Sequence, residues 1–281
     1  MRIAVVIPTY NRAHVLGRAV DSVLDQSFPA EQCVVVDDGS SDHTEALVRG
    51  SYPGVTYLKQ EHGGVSAARN AGVAAARTDW VAFLDSDDAW MPDKLERQRW
   101  ALEGTRYVIC HADEIWIRRG RRVNPMRKHR KRGGWIYRHC LPLCAISPSA
   151  SMVRKDVFMA IDGFDENLPA CEDYDLWLRL CARYPVAYID RPLVTRYGGH
   201  DDQLSTRYWG MDRFRISALE KMLASEALSD IDREMTLRML TTKLIILLDG
   251  ARKRGNQEVL DTYAGRLTRC RGLLSRAGVA V

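Results

Sequence analysis

The chain has 281 residues, a length typical of one α/β domain with an additional segment. Hydrophobic residues make up 46% and charged residues 27%, values that exclude a mainly disordered chain. The net charge of +5 is unevenly distributed, because residues 118–138 hold ten Lys or Arg and no Asp or Glu. The rest of the chain has 31 basic and 36 acidic residues and is therefore acidic. The basic segment indicates which partners the protein binds, and it does not indicate the fold.

The first part of the chain alternates strand-like and helical patterns. Apolar, β-branched runs predict strands, and apolar residues at the spacing of one helical face predict helices between them. The predicted strands are residues 2–8, 33–36, 55–58 and 80–84. The predicted helices are residues 14–24, a segment that follows a Ser41 or Asp42 cap and ends at Arg49, residues 64–77 and residues 92–102. Fully apolar strands separated by helices favour a Rossmann-like, mostly parallel sheet with helices on both faces.

Beyond residue 102 the pattern is less regular. Strands are predicted at residues 107–117, 186–189 and 193–197, and helices at residues 154–161 and 172–184. From about Met211 the sequence is helical to its end, with interruptions near Ser229 and at residues 255–257. We therefore predict an α/β domain over residues 1–210, with halves at 1–103 and 104–210, and a helical C-terminal extension over residues 211–281.

Membrane insertion and export are not expected from this sequence. The longest aliphatic run, residues 244–248, is far shorter than the roughly 20 residues that span a bilayer. The N-terminal residues lack the pattern of a secretory signal peptide. The seven cysteines are scattered and form no CxxC pair, which is typical of reduced thiols. We expect a cytoplasmic protein that contacts a membrane only peripherally, at its inner face.

Polar clusters follow three of the predicted strands, at residues 8–10, 37–38 and 85–87. Ligands of open α/β sheets bind beyond the carboxyl ends of the strands. Asp85 and Asp87 offer the oxygen ligands that Mg²⁺ or Mn²⁺ prefers, while open positions remain for phosphate oxygens. An alternative for both acidic clusters is that they cap the helices that follow them, and these residues alone leave that alternative open.

Five motifs, in order and at characteristic spacing, resemble those of family 2 glycosyltransferases of the GT-A fold. They are Val6-Ile7-Pro8-Thr9-Tyr10-Asn11-Arg12, Val36-Asp37-Asp38-Gly39-Ser40, Gly64-Val65-Ser66-Ala67-Ala68-Arg69-Asn70, Phe83-Leu84-Asp85-Ser86-Asp87-Asp88 and Glu172-Asp173-Tyr174-Asp175-Leu176-Trp177. The resemblance covers roughly residues 1–205 and leaves the C-terminal helices outside it. It implies a nucleotide-sugar-binding half at 1–103, an acceptor-binding half at 104–210, and sugar transfer with inversion of anomeric configuration.

The resemblance also implies a role for individual residues. A nucleoside diphosphate sugar, UDP-linked, would lie against the nucleotide-binding residues, and Mn²⁺ or Mg²⁺ against the metal-binding ones. The nucleotide-binding residues are Pro8, Thr9, Tyr10, Arg12, Asp38, Arg69, Asp85 and Ser86, and the metal-binding residues are Asp85 and Asp87. His200 resembles a histidine that completes the metal or diphosphate site in some family members, although a lone histidine is also a common structural residue.

Asp173 matches the general base of the family. Inverting transfer is a single displacement, so it needs a base for the acceptor hydroxyl and a Lewis acid for the departing diphosphate. An aspartate at the start of the predicted helix 172–184 is stabilised as a carboxylate by the helix dipole and can face a cleft. As an alternative, Glu172 and Asp173 only stabilise that helix, by about 0.3–1 kcal/mol each.

The basic segment, residues 118–138, lies between the donor half and Asp173, where acceptors bind in similar proteins. Trp135, Ile136 and Tyr137 interleave with its charges, an arrangement that suits an anionic sugar, a lipid diphosphate or a membrane surface. A solvated surface loop is the alternative. Nucleic acid is not expected as a partner, because no nucleic-acid-binding motif accompanies the charge.

We therefore expect a metal-dependent inverting glycosyltransferase of surface polysaccharide assembly, with a glycan or lipid-linked acceptor; the assembly role depends on family analogy. A nucleotidyltransferase is an alternative, but residues 8–11 stand where its glycine-rich phosphate loop would follow the first strand. A second alternative is a non-catalytic nucleotide-sugar sensor or partner subunit that interacts through its C-terminal helices. The presence of both Asp87 and Asp173 argues against it.

Overall fold

The structure is a computed structural model that describes residues 1–124, 126–199 and 208–276, so the predicted ligand His200 lies outside the described residues. Within these ranges nine strands form one sheet. The strands are β1 (Ile3–Thr9), β2 (Gln32–Asp37), β3 (Thr56–Lys59), β4 (Trp80–Phe83), β5 (Ala89–Trp90), β6 (Ile109–Arg118), β7 (Arg121–Val123), β8 (Ser151–Arg154) and β9 (Ala187–Gly198).

Ten α-helices are described in the same ranges. They are α1 (Ala13–Leu24), α2 (Thr44–Ser51), α3 (Val65–Ala75), α4 (Lys94–Leu102), α5 (Tyr137–Cys140), α6 (Lys155–Ala160), α7 (Glu172–Cys181), α8 (Asp212–Ala224), α9 (Asp230–Lys253) and α10 (Gln257–Arg276). None of these helices has both the length and the apolar character needed to cross a bilayer.

The sheet has the order β3-β2-β1-β4-β8-β6-β9-β5, with β7 paired to the end of β6. Strands β1 to β4 pair in parallel, as the sequence predicts. Beyond β4 the sheet is mixed, because β8 runs antiparallel to both β4 and β6. The α/β class with helices on both faces is confirmed, and the C-terminal helices are present.

The side chains of β1 point alternately to the two faces of the sheet, which explains why helices cover both faces. Ile3, Val5 and Ile7 belong to the core under α1, α2 and α4, whereas Ala4 and Val6 belong to the core under α3 and α7. All five side chains are fully buried. Successive side chains of a strand point to opposite faces, so a continuous apolar run needs two helical layers.

Helix α3 approaches β1 closely because of Gly72. A Cβ at this position would lie 2.3 Å from Val6 Cγ1, so a larger residue would push the helix away from the strand. Arg69 stands one turn earlier on α3, and it is 3% exposed. The close approach therefore fixes Arg69 near the carboxyl ends of the parallel strands.

Two of the predicted elements have different bounds in the structure, and β5, β7 and α5 were not predicted. The predicted helix at 154–161 begins only at Lys155, because residues 151–154 form β8. The two strands predicted around residue 191 are one strand, β9, whose register with β6 shifts where Pro192 lies opposite Asp113. Proline is tolerated in sheets at such irregular positions, so it does not end the strand here.

The C-terminal helices lie against α5 and α7. Lys221 Nζ on α8 is 2.9 Å from the buried Asp175 Oδ1 on α7, and the hydroxyls of Tyr137 and Thr236 are 2.6 Å apart. These contacts attach the extension to the helix that begins at Glu172. The division into domains at residue 210 remains a prediction.

Candidate active site

The loops after β1 and β2 are joined at one edge of the sheet. Thr9 is paired with Asp37 in the parallel ladder, and Asp38 N donates to Thr9 O at 2.9 Å. Asn11 has a positive φ of 52°, and its Oδ1 accepts from Ser41 N at 2.8 Å. Pro8 and Thr9 are buried at this edge. The predicted nucleotide-binding residues of the two loops are therefore brought together.

Asp38 is 3% exposed. Its carboxylate accepts from Gly63 N at 2.9 Å and Gly64 N at 2.8 Å, and His62 Nδ1 is 2.8 Å from its Oδ2. In this structure Asp38 therefore holds the loop that leads into α3. The His62 ring stacks on the ring of Tyr10 at a centroid distance of 4.2 Å, which gives the edge an exposed aromatic surface. Sequence reasoning missed His62, because only its place beside two glycines marks it.

The acidic cluster after β4 is connected to α7 by Arg69. Arg69 Nη2 is 2.6 Å from Asp85 Oδ1, and Arg69 Nη1 is 2.7 Å from Glu172 Oε1. Burial alone would lower the pKa of Arg69, but the two carboxylates outweigh it and raise that pKa above its usual value. One buried cation thus links the predicted donor-binding acids with the first residue of α7.

Asp87 lies on the same edge, with its side chain 21% exposed and its Oδ2 at 3.2 Å from Arg12 Nη1. Ser86, between the two acids, is buried. The alternative that residues 85–88 cap the next helix is wrong, since α4 begins after Asp93. Asp88 points inward and accepts from Ser149 Oγ at 2.7 Å. Burial foremost raises the pKa of Asp88 well above its usual value.

The capping alternative for Asp37-Asp38 is also wrong. Asp37 accepts from Ser40 N at 2.7 Å and from the Tyr57 hydroxyl. The side chain that meets the start of α2 is that of Asp42, whose Oδ1 accepts from Thr44 N at 3.0 Å. Asp42 was one of the two predicted caps.

The donor set at this edge fits a divalent cation. Mg²⁺ and Mn²⁺ are bound through one or two carboxylates together with substrate phosphates, and do not need an all-protein cage. Asp85 and Asp87 supply such carboxylates, and both side chains are partly open to solvent. Among the residues that the structure describes, no three His, Cys, Asp or Glu side chains converge on one point.

Asp173 is the second residue of α7, and both of its carboxylate oxygens have partners. Tyr174 N donates to Oδ1 at 2.7 Å, and the Cys144 thiol donates to Oδ2 at 3.1 Å. Burial, followed by the charge of Asp173, raises the pKa of the neighbouring Glu172, while Arg69 opposes that rise. Cys144 was not foreseen, since it is one of seven scattered cysteines and lies 29 positions before Asp173.

The basic segment has an inner and an outer side. Lys131 is 8% exposed, and its Nζ is 2.8 Å from Glu114 Oε1 on β6. Ile136 and Tyr137 are buried in the core. Trp135, by contrast, is 71% exposed. Of the three residues predicted to present an anion- or membrane-binding surface with the charges, Trp135 is exposed, whereas Ile136 and Tyr137 fold inward, as does Lys131.

The mixed sheet, its acidic edge and the covering helices define an α/β protein of the GT-A fold. The family model "Glycosyl transferase family 2" matches residues 4–161, and "Glycosyltransferase like family 2" matches residues 136–227. The chain belongs to glycosyl transferase family 2.

Individual proteins show the same likeness. An uncharacterized glycosyltransferase of Rickettsia typhi is 28% identical over 207 residues, which cover 72% of this chain and 65% of the relative. Among the first curated relatives the chain spans between 31% and 65% of their length. Staphylococcus aureus TarS 1–349 in complex with UDP-GlcNAc superposes with a TM-score of 0.71 at 19% identity, covering 91% of this chain and 75% of that one. The Pyrobaculum calidifontis mannosyltransferase PcManGT, in complex with GDP-Man and Mn²⁺, superposes with a TM-score of 0.58 at 17% identity, covering 98% and 86%.

Proposed function

We propose that this chain transfers a sugar from a UDP-linked nucleoside diphosphate sugar to an acceptor hydroxyl, with inversion at the anomeric carbon. The observation that carries the proposal is the contact of Arg69 with both Asp85 and Glu172. This contact supports the proposal, because it brings Asp85 beside the helix that bears Asp173. A single displacement needs the leaving group and the base on opposite sides of one reacting carbon, which requires both sets of residues in one cleft. The TarS complex with UDP-GlcNAc supports a UDP-linked donor.

On the donor side, the loops after β1 and β2 would hold the nucleoside. The stacked Tyr10 and His62 rings offer a flat surface to a base. Arg12 and Arg69 place positive charge beside the acids where a diphosphate would lie. Asp87, with Asp85, would hold the Mn²⁺ or Mg²⁺. When bound, the cation would supply Lewis-acid stabilisation of the negative charge that develops on the departing diphosphate.

On the acceptor side, Asp173 would take the proton of the attacking hydroxyl. It lies in the first turn of α7, where the positive end of the helix dipole attracts a negative charge. The backbone of Tyr174 and the Cys144 thiol restrict the rotation of the carboxylate. A base held in one orientation reduces the entropy lost on reaching the transition state.

The outer side of the basic segment suggests where the acceptor resides. Arg127, Lys128 and Arg130 are exposed, and Met126 and Trp135 of the same segment expose apolar surface. Basic and aromatic side chains in this arrangement bind the headgroup region of anionic bilayers. We therefore infer a lipid-linked or membrane-proximal acceptor at the cytoplasmic face, with the assembly of surface polysaccharide as the wider role.

Neutralising Arg127, Lys128 and Arg130 tests this membrane contact. We expect weaker sedimentation with vesicles of anionic lipid and a smaller dependence on salt, because exposed charges are screened beyond a Debye length of about 8 Å at physiological ionic strength. Binding of UDP should not change. Equal sedimentation of variant and parent protein would contradict the membrane contact.

The transferase itself is tested with a panel of UDP-sugars. Thermal stability and UDP release are measured with and without Mn²⁺, because ligands of the folded state raise its apparent stability. We expect one donor to stabilise the protein and to release UDP in a metal-dependent way. Asp79, exposed and paired with Arg2 away from the acidic edge, provides the matched control variant Asp79→Ala. Stabilisation without any UDP release, with or without candidate acceptors, would instead support a nucleotide-sugar sensor.

A further inference from the structure

A small cavity lies beside Asp173, and Arg196 forms part of its wall. Its walls come from β6, the inner side of the basic segment, residues 144–147 and Arg196 of β9. Its volume of about 60 Å³ corresponds to about four to six water-sized groups. That space suits one carboxylate or phosphate group, and a whole sugar ring would extend out of it.

Glu114 forms the acidic wall of the cavity, and its oxygens already have partners. The Ser147 hydroxyl donates to Oε1, and Trp116 Nε1 donates to Oε2 at 3.0 Å. Although burial would raise the pKa of Glu114, Lys131 and Arg196 together with these hydrogen bonds lower it to about 2. Glu114 is therefore ionised and has little capacity left for a ligand.

Lys131 and Arg196, the two cations of the cavity, differ from Glu114 because they retain hydrogen-bonding capacity. The ammonium of Lys131 is buried and pairs with Glu114 Oε1 at 2.8 Å. It has no further hydrogen-bond partner among the described residues, so its remaining N–H groups are unused. Arg196 lies 3.7 Å from Asp88 and 4.0 Å from Glu114, both beyond hydrogen-bond distance. The cavity thus presents N–H donors with unused capacity next to a satisfied carboxylate.

We propose that this cavity recognises a negatively charged substituent, a carboxylate or a phosphate, on the acceptor whose hydroxyl reaches Asp173. Lys131 and Arg196 bind the anion, and Trp116, fixed by its hydrogen bond to Glu114, provides a flat wall for the attached sugar. This inference deepens the proposed function and depends on it for the role of Asp173. It identifies Lys131 and Arg196 as determinants of acceptor specificity.

Two matched pairs of probes test the inference. Methyl β-D-glucuronide is compared with methyl β-D-glucoside, and glycerol 3-phosphate with glycerol, by calorimetry in the presence of UDP and Mn²⁺. We expect at least one anion to bind about tenfold more tightly than its neutral partner. The carboxylate and phosphate arms show which anion the cavity prefers. Equal affinity within both pairs would overturn the proposal.

Variants locate the binding in the cavity. Arg196→Gln should remove most of the preference for the anion while the dissociation constant for UDP stays within about twofold. The double variant Glu114→Gln with Lys131→Met removes both buried charges together, so it leaves no uncompensated ion and should also lose the preference. Arg127→Gln, on the outer side of the same segment, is the control and should keep it. An equal loss in Arg127→Gln and Arg196→Gln would show unspecific attraction and overturn the proposal.

The test of the anion site and the test of the proposed transferase function can fail independently. Turnover is measured as UDP release from the preferred donor. UDP release without any anion preference would overturn the acceptor proposal alone. A preserved anion preference in a protein that never releases UDP would leave the cavity as an anion site and contradict the transferase.

Discussion

Arg69 Nη1 lies 2.7 Å from Glu172 Oε1, although 103 positions separate the two residues in the chain. Both side chains are at least 94% buried, and the other end of the guanidinium binds Asp85. A planar guanidinium reaches two carboxylates at once, which a lysine ammonium on its flexible stem does less well. The strand–helix half of the sheet and the helix that carries Asp173 are therefore connected by a single side chain.

We expect Arg69→Met to destabilise the protein by about 3–5 kcal/mol, because it leaves the buried Glu172 and the partly exposed Asp85 without their cation. Arg69→Lys keeps the charge, so its free energy of unfolding should lie between those of the parent protein and Arg69→Met. The free energy of unfolding is measured with urea, and Arg77→Met, on an exposed residue just after the same helix, is the control. If Arg69→Met unfolds at the same urea concentration as Arg77→Met, the connection does not contribute to stability.

The Arg69 contacts also show what the sequence could and could not predict. Local patterns were sufficient for β1, α1 and α3, because the apolar periodicity of each segment reflects its own burial. The partners of Arg69 lie 16 and 103 positions away, and no local pattern encodes such distances. The family resemblance placed Arg69 near the nucleotide, but it did not indicate that the side chain is shared with Glu172.

The lack of a local sequence signal also explains why β8 and the burial of Lys131 were not predicted. Residues 151–154 are too short a run to be distinguished from the start of the helix that follows, and their strand conformation is fixed by pairing with β4 and β6. Lys131 stands among ten basic residues, and only the position of Glu114 on β6 selects it for burial. Tertiary context, not composition, decides which member of a charged run turns inward.

Asp87 provides a test of the cation site. If Asp87 holds Mn²⁺ against the diphosphate, Asp87→Ala should abolish the enhancement of UDP binding by Mn²⁺ and leave the fold intact. Asp85→Ala should have a similar or milder effect on metal dependence and should also lower stability through Arg69. Calorimetric UDP titrations with and without Mn²⁺ measure the first effect, and urea unfolding the second. Undiminished Mn²⁺ dependence in Asp87→Ala would assign the cation to other residues.

A buried histidine gives the protein a predictable sensitivity to acid. His111 on β6 is fully buried, and its Nε2 donates to Arg132 O at 2.7 Å. Burial first, and then the charge of Lys131, lower its pKa from 6.5 to about 3. Below pH 6.5 the unfolded chain binds a proton that the folded protein does not, so stability falls as the pH decreases toward 3.

We expect His111→Gln to flatten this dependence, because glutamine can donate to the same carbonyl without titrating. The free energy of unfolding is measured between about pH 6.5 and pH 5, where a single group contributes at most about 1.4 kcal/mol per pH unit. The exposed His14 provides the control variant His14→Gln. An unchanged slope in His111→Gln would assign the acid sensitivity to other groups.

Substitution of Asp173 distinguishes a transferase from a protein that only binds the nucleotide-sugar. Asp173→Asn retains the shape of the side chain and its contact with Tyr174 N, but it loses the proton-accepting charge. General-base catalysis typically contributes about 10²–10⁴-fold in rate, or roughly 3–5 kcal/mol of barrier. We therefore expect single-turnover transfer to fall by that factor while the dissociation constants of UDP and of the donor stay within about twofold.

Two further variants refine this test. Glu172→Gln should lower stability through the loss of its pairing with Arg69, with a smaller effect on the chemical step. Cys144→Ser retains a donor for Asp173 Oδ2, so its transfer rate should exceed that of Cys144→Ala, which removes the donor. Transfer at the parent rate in Asp173→Asn would exclude this residue as the base. An equal loss of donor binding would place Asp173 in the donor site, since a base for the acceptor hydroxyl contributes to the transition state and not to the affinity for the nucleotide.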